Sequence, residues 1–236
     1  SSRAAWLVRR AAMEASGKRH TRRGMKRPSL LLECGAALVE PAAVLGLRER
    51  LIENALDFEI VEQGIPVTDL PVEFEGYTIL HLSDLHVGRI PGLIEQLSRL
   101  VRPIKADLAV ITGDFAGDDG QSADEAAAET AILLRRISAR DGIFGVLGNH
   151  DRHGLAAALE AQGVLMLVNE HFSLRRGDAH LQLSGVDDVH RFYTEAAPIT
   201  LRGRDPEAVS IALVHSPELT DVAAQAGYTL YLCGHS

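Results

Sequence analysis

The 236-residue chain reads as a layered α/β protein, an α/β–β/α sandwich of mixed sheets. Three features predict this. Short apolar runs such as DLAVIT (107–112), GIFGVLG (142–148) and AVSIALVH (208–215) alternate with helix-length segments, the pattern of buried and mostly parallel strands. Two runs, 171–175 and 179–184, are joined across Arg176-Gly177-Asp178 and add an antiparallel hairpin. Hydrophobic residues form 46% of the chain, enough to fill a core between such layers.

In chain order, residues 1–57 are expected to form a basic, helical N-terminal appendage, and 58–236 the main domain. Pro41 is placed at the start of the appendage's last helix, where its missing N–H costs little. The alternation at 58–62, with 66–68, predicts an edge strand flanked by Pro66 and Pro71. A buried strand at 77–83 and a helix at 91–102 follow, then the strand 107–112 and an alanine-rich helix over 122–139. The strand at 142–148 precedes a helix at 152–162, short strands near 164–168 and the hairpin. The strand at 208–215, a helix at 217–226 and a strand at 228–233 close the series. No internal repeat is present.

Charge is unevenly placed. Residues 1–27 carry nine Lys/Arg and one Glu, whereas the rest of the chain carries 15 Lys/Arg and 31 Asp/Glu. A basic arm before an acidic domain suits peripheral contact with an anionic membrane, and the expected location is cytoplasmic, at its inner face. The stretch at 29–47 is interrupted by Glu33, Glu40 and Pro41, short of a membrane span. Aromatics at 5% argue against a stacking platform for nucleic acid. Two cysteines, Cys34 and Cys233, indicate no disulfide framework.

Chemistry gathers at the strand ends. The strand at 77–83 runs into Asp84-Leu85-His86, the next into Gly113-Asp114, and the third into Gly148-Asn149-His150-Asp151. The strand at 208–215 ends in His215, and the last runs into Gly234-His235. Functional groups of α/β sheets collect beyond the carboxyl ends of strands. An Asp and a His two apart in extended chain project to one side and can chelate one ion. Taken singly each motif is weak, but five consecutive strand ends bearing Asp, Asn or His are hard to reconcile with chance. A set of Asp, His and Asn without thiolate suits Mn, Fe, Zn or Co, and it offers too many donors for one tetrahedral ion. Two divalent ions sharing a carboxylate use the set economically.

In this order and spacing, the motifs resemble the calcineurin-like metallophosphoesterase superfamily over residues 77–235. The resemblance implies that Asp84 and His86 hold a first metal, that Asp114 bridges, and that Asn149, His215 and His235 hold a second. It further implies that His150 acts on the substrate with Asp151 orienting it. The superfamily pattern continues Gly-His-x-His, so a second His is expected at position 237, and the domain is expected to be truncated at its C-terminus. The segments HLSDLHVG, VLGNHDRHG, LVNEHF, LSGVDDVH, HSPEL and LYLCGHS resemble bacterial membrane-associated phosphodiesterases, including a UDP-2,3-diacylglucosamine pyrophosphatase branch of lipid A synthesis. A phosphoester or pyrophosphate substrate, lipid-linked or nucleotide-linked, follows as the expectation. Arg152, His153, Asp187, Asp188 and His190 are candidate substrate contacts. The competing expectations are hydrolysis of nucleic acid or cyclic nucleotides with the same metals, and a metal-poor scaffold.

Overall fold

A computed structural model describes residues 2–22, 48–117 and 120–235. The expected helix start at Pro41, the stretch 29–47 and Cys34 lie outside the described residues. Two four-stranded sheets pack face to face. The first is fully parallel, in the order β1 (Ile79–Leu82), β3 (Leu108–Thr112), β5 (Ile143–Val146), β6 (Val164–Met166). The second runs β10 (Leu230–Leu232), β9 (Val209–Leu213), β8 (Ala179–Gly185), β7 (Glu170–Arg176). Its β7–β8 pair is the antiparallel hairpin, and its other pairs are parallel.

The two-residue period of a strand sorts the apolar side chains between layers. In β3, Leu108 and Val110 face the second sheet, meeting Leu181, Leu183, Ile211 and Leu213, while Ile111 faces the helices. In β9, Ala212 points outward to α6 (Ala196–Arg202) and α7 (Thr220–Ala226), joining Leu201 and Val222. The outer face of the first sheet is covered by α3 (Leu93–Val101), α4 (Ala123–Leu134) and α5 (His153–Glu160). The layers are therefore helices, sheet, sheet, helices, as the sequence predicts. The helix α2 (Arg48–Leu56) leads into the chain before the first sheet.

The N-terminal helix α1 (Arg3–Ser16) is capped by the Ser2 side chain and closed by Gly17 in the left-handed region. Its Trp6 is buried in the same cluster as the helices of the first sheet. Among the described residues, N-terminal cations pair with the acidic domain: Arg3 with Glu160 and Glu170, Arg10 with Asp187, and Arg22 with Asp221.

Local structure departs from the sequence expectation in three places. Residues 58–62 and 66–68 form no strand; Ile60 and Val61 both face solvent, so no neighbouring strand reads their alternation. The helix expected over 122–139 begins with a Ser122–Glu125 capping box but ends at Leu134. Ser138 and Ala139 (β4) instead pair with Lys105 and Ala106 (β2), a partner 33 residues away that helix propensity does not register. Helix α6 is not predicted, and its Pro198 is no obstacle to it. It lies in the first turn, where N–H groups lack intrahelical acceptors in any case.

Candidate metal centre

The carboxyl ends of β1, β3, β5, β9 and β10 converge on one side of the sandwich and bring the predicted ligands together. Asp84, Asp114, His215 and His235 each present a ligand atom, and the four atoms lie within 4.8 Å of one another. Asp114 is central. Its Oδ2 stands 3.7 Å from His86 Nε2 and 3.3 Å from His215 Nε2, between a histidine of each expected metal. Asn149 joins through Oδ1, 3.0 Å from His215 Nε2.

Main-chain carbonyls orient the rings. His215 Nδ1–H donates to Thr112 O at 2.8 Å and His86 Nδ1–H to Ala116 O at 3.2 Å, which turns both Nε2 atoms to the centre. Such partners fix tautomer and ring orientation in metal-ligating histidines. The backbone reinforces this. Among the described residues six non-glycine positions have left-handed φ, and four of them are Asp84, His86, Asp114 and His235. This conformation costs non-glycine residues energy and concentrates at functional sites. Here it falls at the turns that follow β1, β3 and β10, where the chain leaves the sheet. Gly148 lies so close to Asp114 that a Cβ there would stand 2.2 Å from Oδ1.

Electrostatics match a centre made for cations. Burial opposes charge on His215, but the Asp114 carboxylate outweighs it and raises the imidazole to about 9. Burial likewise opposes ionisation of Asp114, yet the His215 hydrogen bond and charge, with the His150 N–H, hold its carboxyl near 2. His235 is lowered by burial and by its neighbours His190 and His215. An anionic pair of Asp84 and Asp114 within reach of three imidazoles and an amide oxygen has the donor types that borderline divalent ions take. The donor set fits divalent ions of this kind.

His150 donates its backbone N–H to Asp114 Oδ1 at 2.9 Å, and its ring meets His86 edge-on at 5.3 Å. Asp151 is a buried link between loops. Its two oxygens accept from Ala116 N (3.0 Å) and Gly148 N (2.8 Å), so it ties two loops together at the main chain beside His150. Burial, then the charge of Asp114, raises its carboxyl to about 6. Asp188 is buried, accepts from the N–H groups of His190, Arg191 and Phe192, and shapes that loop. Asp187 takes Trp6 Nε1 at 2.7 Å and the Arg10 guanidinium. His190 packs on His235 with ring centres 4.2 Å apart and the planes inclined by 48°, and is held by Glu218. Arg152 and His153 line a cleft of about 240 Å³ beside Asn149 and His150, and His153 is bound to Glu14. His81, half-buried in β1, bonds Thr112 Oγ1 at 2.8 Å.

Arg10, Glu14 and Arg191, whose guanidinium stands 3.5 Å from Asn149 O, escape sequence reasoning. The first two come from α1, more than 130 residues before the loops they reach, and no motif marks them.

Comparison with known proteins agrees with this geometry. The family described as calcineurin-like phosphoesterase matches residues 77–236. The chain is 30% identical to a Danio rerio transmembrane protein with metallophosphoesterase domain, over 79% of this chain and 46% of that protein. It is 25% identical to the phosphodiesterase YaeI of Escherichia coli, over 68% of this chain and 60% of that one. It is 26% identical to the UDP-2,3-diacylglucosamine pyrophosphatase LpxG of Chlamydia muridarum, over 62% and 44% respectively. The chain spans about half the length of the curated relatives it matches.

Proposed function

Since the chain belongs to the calcineurin-like phosphoesterase family, hydrolases of phosphoester bonds, we propose that it cleaves a phosphodiester or pyrophosphate with two divalent metals. The observation that carries the reading is Asp114 Oδ2 lying between His86 Nε2 and His215 Nε2. Asp84, His86 and Asp114 would hold one ion, and Asp114, Asn149, His215 and His235 the other. When bound, the ions supply Lewis acidity toward phosphoryl oxygens and make water acidic enough to attack phosphorus at neutral pH.

The protein's own groups do the rest. The His150 imidazole, beside the cleft, protonates the leaving oxygen, a contribution of about 10²–10⁴-fold for a placed general acid. The Asp151 carboxylate keeps the His150 loop joined to the Asp114 loop. Arg152 on the cleft wall balances charge on the departing group, and His190 backs the His235 ring.

The finer reading is a lipid-linked or nucleotide-linked substrate met at an anionic membrane surface. Its support is the basic arm at 1–27 and the similarity to a lipid pyrophosphatase. No helix among the described residues is long and apolar enough to cross a membrane. The test combines Mn²⁺ titration with turnover of bis-p-nitrophenyl phosphate, a nucleoside-diphosphate lipid and a cyclic nucleotide. Two ions per chain and chelator-sensitive cleavage are expected, with Asp114→Ala losing both. Near-parental turnover by Asp114→Ala sinks the two-metal reading, and preference for the cyclic nucleotide sinks the lipid one.

A further inference from the structure

The segment matched to the family begins at residue 77, yet the loop carrying Asn149 and His150 is gripped from outside that segment, by α1. Arg10 is fully buried and uses its whole guanidinium. Nε donates to Glu14 Oε1 at 3.1 Å and one terminal nitrogen to Asp187. The other terminal nitrogen donates to Gly148 O at 3.3 Å and Asp151 O at 2.7 Å. The Phe192 ring covers the guanidinium face, its centre 3.5 Å from Cζ. One helical turn on, Glu14 accepts from His153 N at 2.8 Å and meets His153 Nδ1 at 2.7 Å. The helix thus holds the loop at its beginning, middle and end, through Gly148, Asp151 and His153.

The same loop is also tied to the Asp114 loop, by His150 N on Asp114 Oδ1 and by Asp151 on Ala116 N. Two independent sets of anchors leave a short peptide few alternative paths. The planar fork of an arginine suits this task, because it can meet a carboxylate and main-chain carbonyls together, which a lysine ammonium does less well. Asn149 and His150 sit between the anchored carbonyls.

We propose that α1 is part of the active site and that Arg10 is a positioning residue, holding the Gly148–Asp151 loop so that Asn149 faces the metals and His150 the substrate. The proposal rests on the phosphoesterase reading for its catalytic consequence and on geometry alone for the clamp.

The test uses two variants of the full chain. Arg10→Met with Asp187→Asn removes the guanidinium without leaving an unpaired buried carboxylate and keeps an acceptor for Trp6. Arg10→Lys keeps the charge and loses the fork. Thermal melting verifies that each is folded, so if the double variant does not fold, Arg10→Lys decides. Hydrogen exchange of peptides covering 145–153, followed in metal-free protein, is expected to accelerate in the folded variants while peptides from β8 and β9 stay unchanged. Mn²⁺ affinity and kcat are expected to fall about 10–100-fold, as for outer-shell partners of metal sites, with KM nearly constant. Exchange of 145–153 as slow as in the parent protein overturns the clamp. Faster exchange with unchanged metal affinity and kcat overturns its role in the site. If the parent itself neither binds Mn²⁺ nor hydrolyses any phosphoester, the functional reading fails, and the exchange result still decides the clamp.

Discussion

His215 shows how one residue's surroundings set its chemistry. Its ring nitrogens face Thr112 O on one side and Asn149 Oδ1 and Asp114 on the other, so without metal both are best used as donors. Burial resists the cation, the carboxylate wins, and the folded-state pKa rises to about 9 from an ordinary 6.5. The sign follows from linkage. A raised pKa contributes stability that is full below about pH 6.5 and is lost as pH rises through about 9. The partner Asp114, held near 2, contributes above its ordinary 3.8, and that is lost as pH falls through about 2. Metal reverses the preference, because Nε2 must shed its proton to ligate. Metal affinity should therefore rise with pH, about tenfold per unit while His215 is protonated, as the chelator-treated protein becomes less stable toward pH 9. Calorimetric Mn²⁺ titrations between pH 6 and 9, with melts in chelator, check both trends. Affinity independent of pH would show that His215 binds no metal.

At the scale of elements, the site depends on close approach of loops rather than on any one strand. The β5 loop passes the β3 loop at Gly148, where an added methyl would stand 2.2 Å from Asp114 Oδ1 and 2.4 Å from Asp114 N. Backbone cannot yield as a flexible side chain does. Gly148→Ala should push the bridging carboxylate off its position, at a stability cost of about 1–3 kcal/mol for overpacking. Metal content and turnover should drop together, activity by about 10–100-fold or more, as for displaced ligands and their supports. Metal analysis beside a thermal melt separates this from unfolding; a folded Gly148→Ala protein with two ions and parental turnover contradicts it. The β8 end works by the same means, since Asp188 draws three backbone N–H groups into a tight loop below His190.

For the whole molecule, stability and chemistry reside in different layers. The inter-sheet cluster of Leu108, Val110, Phe144, Leu183 and Leu213 is apolar and fully buried, while the ligands stand beyond the strand ends. Leu183→Ala should cost about 2–5 kcal/mol, lost transfer energy plus the cavity left between two stiff sheets. For a chain of this size that corresponds to a fall in Tm of roughly 4–20 °C. Metal affinity of the folded protein should stay at the parental value, because the side chain supplies packing and no donor. A melt and a Mn²⁺ titration on the same sample decide it. Weakened metal binding in the folded variant would mean that core and site are coupled more tightly than the layering implies.

The sequence by itself determined the strands of the two main sheets and the candidate ligands at their ends. Strand burial is written locally, as apolar runs, and the donors follow each run within a few residues, as Asp84, Asp114, Asn149 and His215 do. Parallel sheets place all such ends on one side, so the convergence of the ligand set could be foreseen without coordinates. Tertiary structure decided what each remaining polar group does. Asp151 and Asp188 carry the same carboxylate as Asp114, and only their neighbours make them main-chain clamps. Residues 58–62 alternate as a strand does, yet no sheet edge receives them. Arg10 lies in an ordinary amphipathic helix, and its partners at 148, 151 and 187 are brought to it by folding alone. Periodicity reports which face a residue takes. Which group waits on that face depends on chain segments more than a hundred residues away, and that is settled when the layers close.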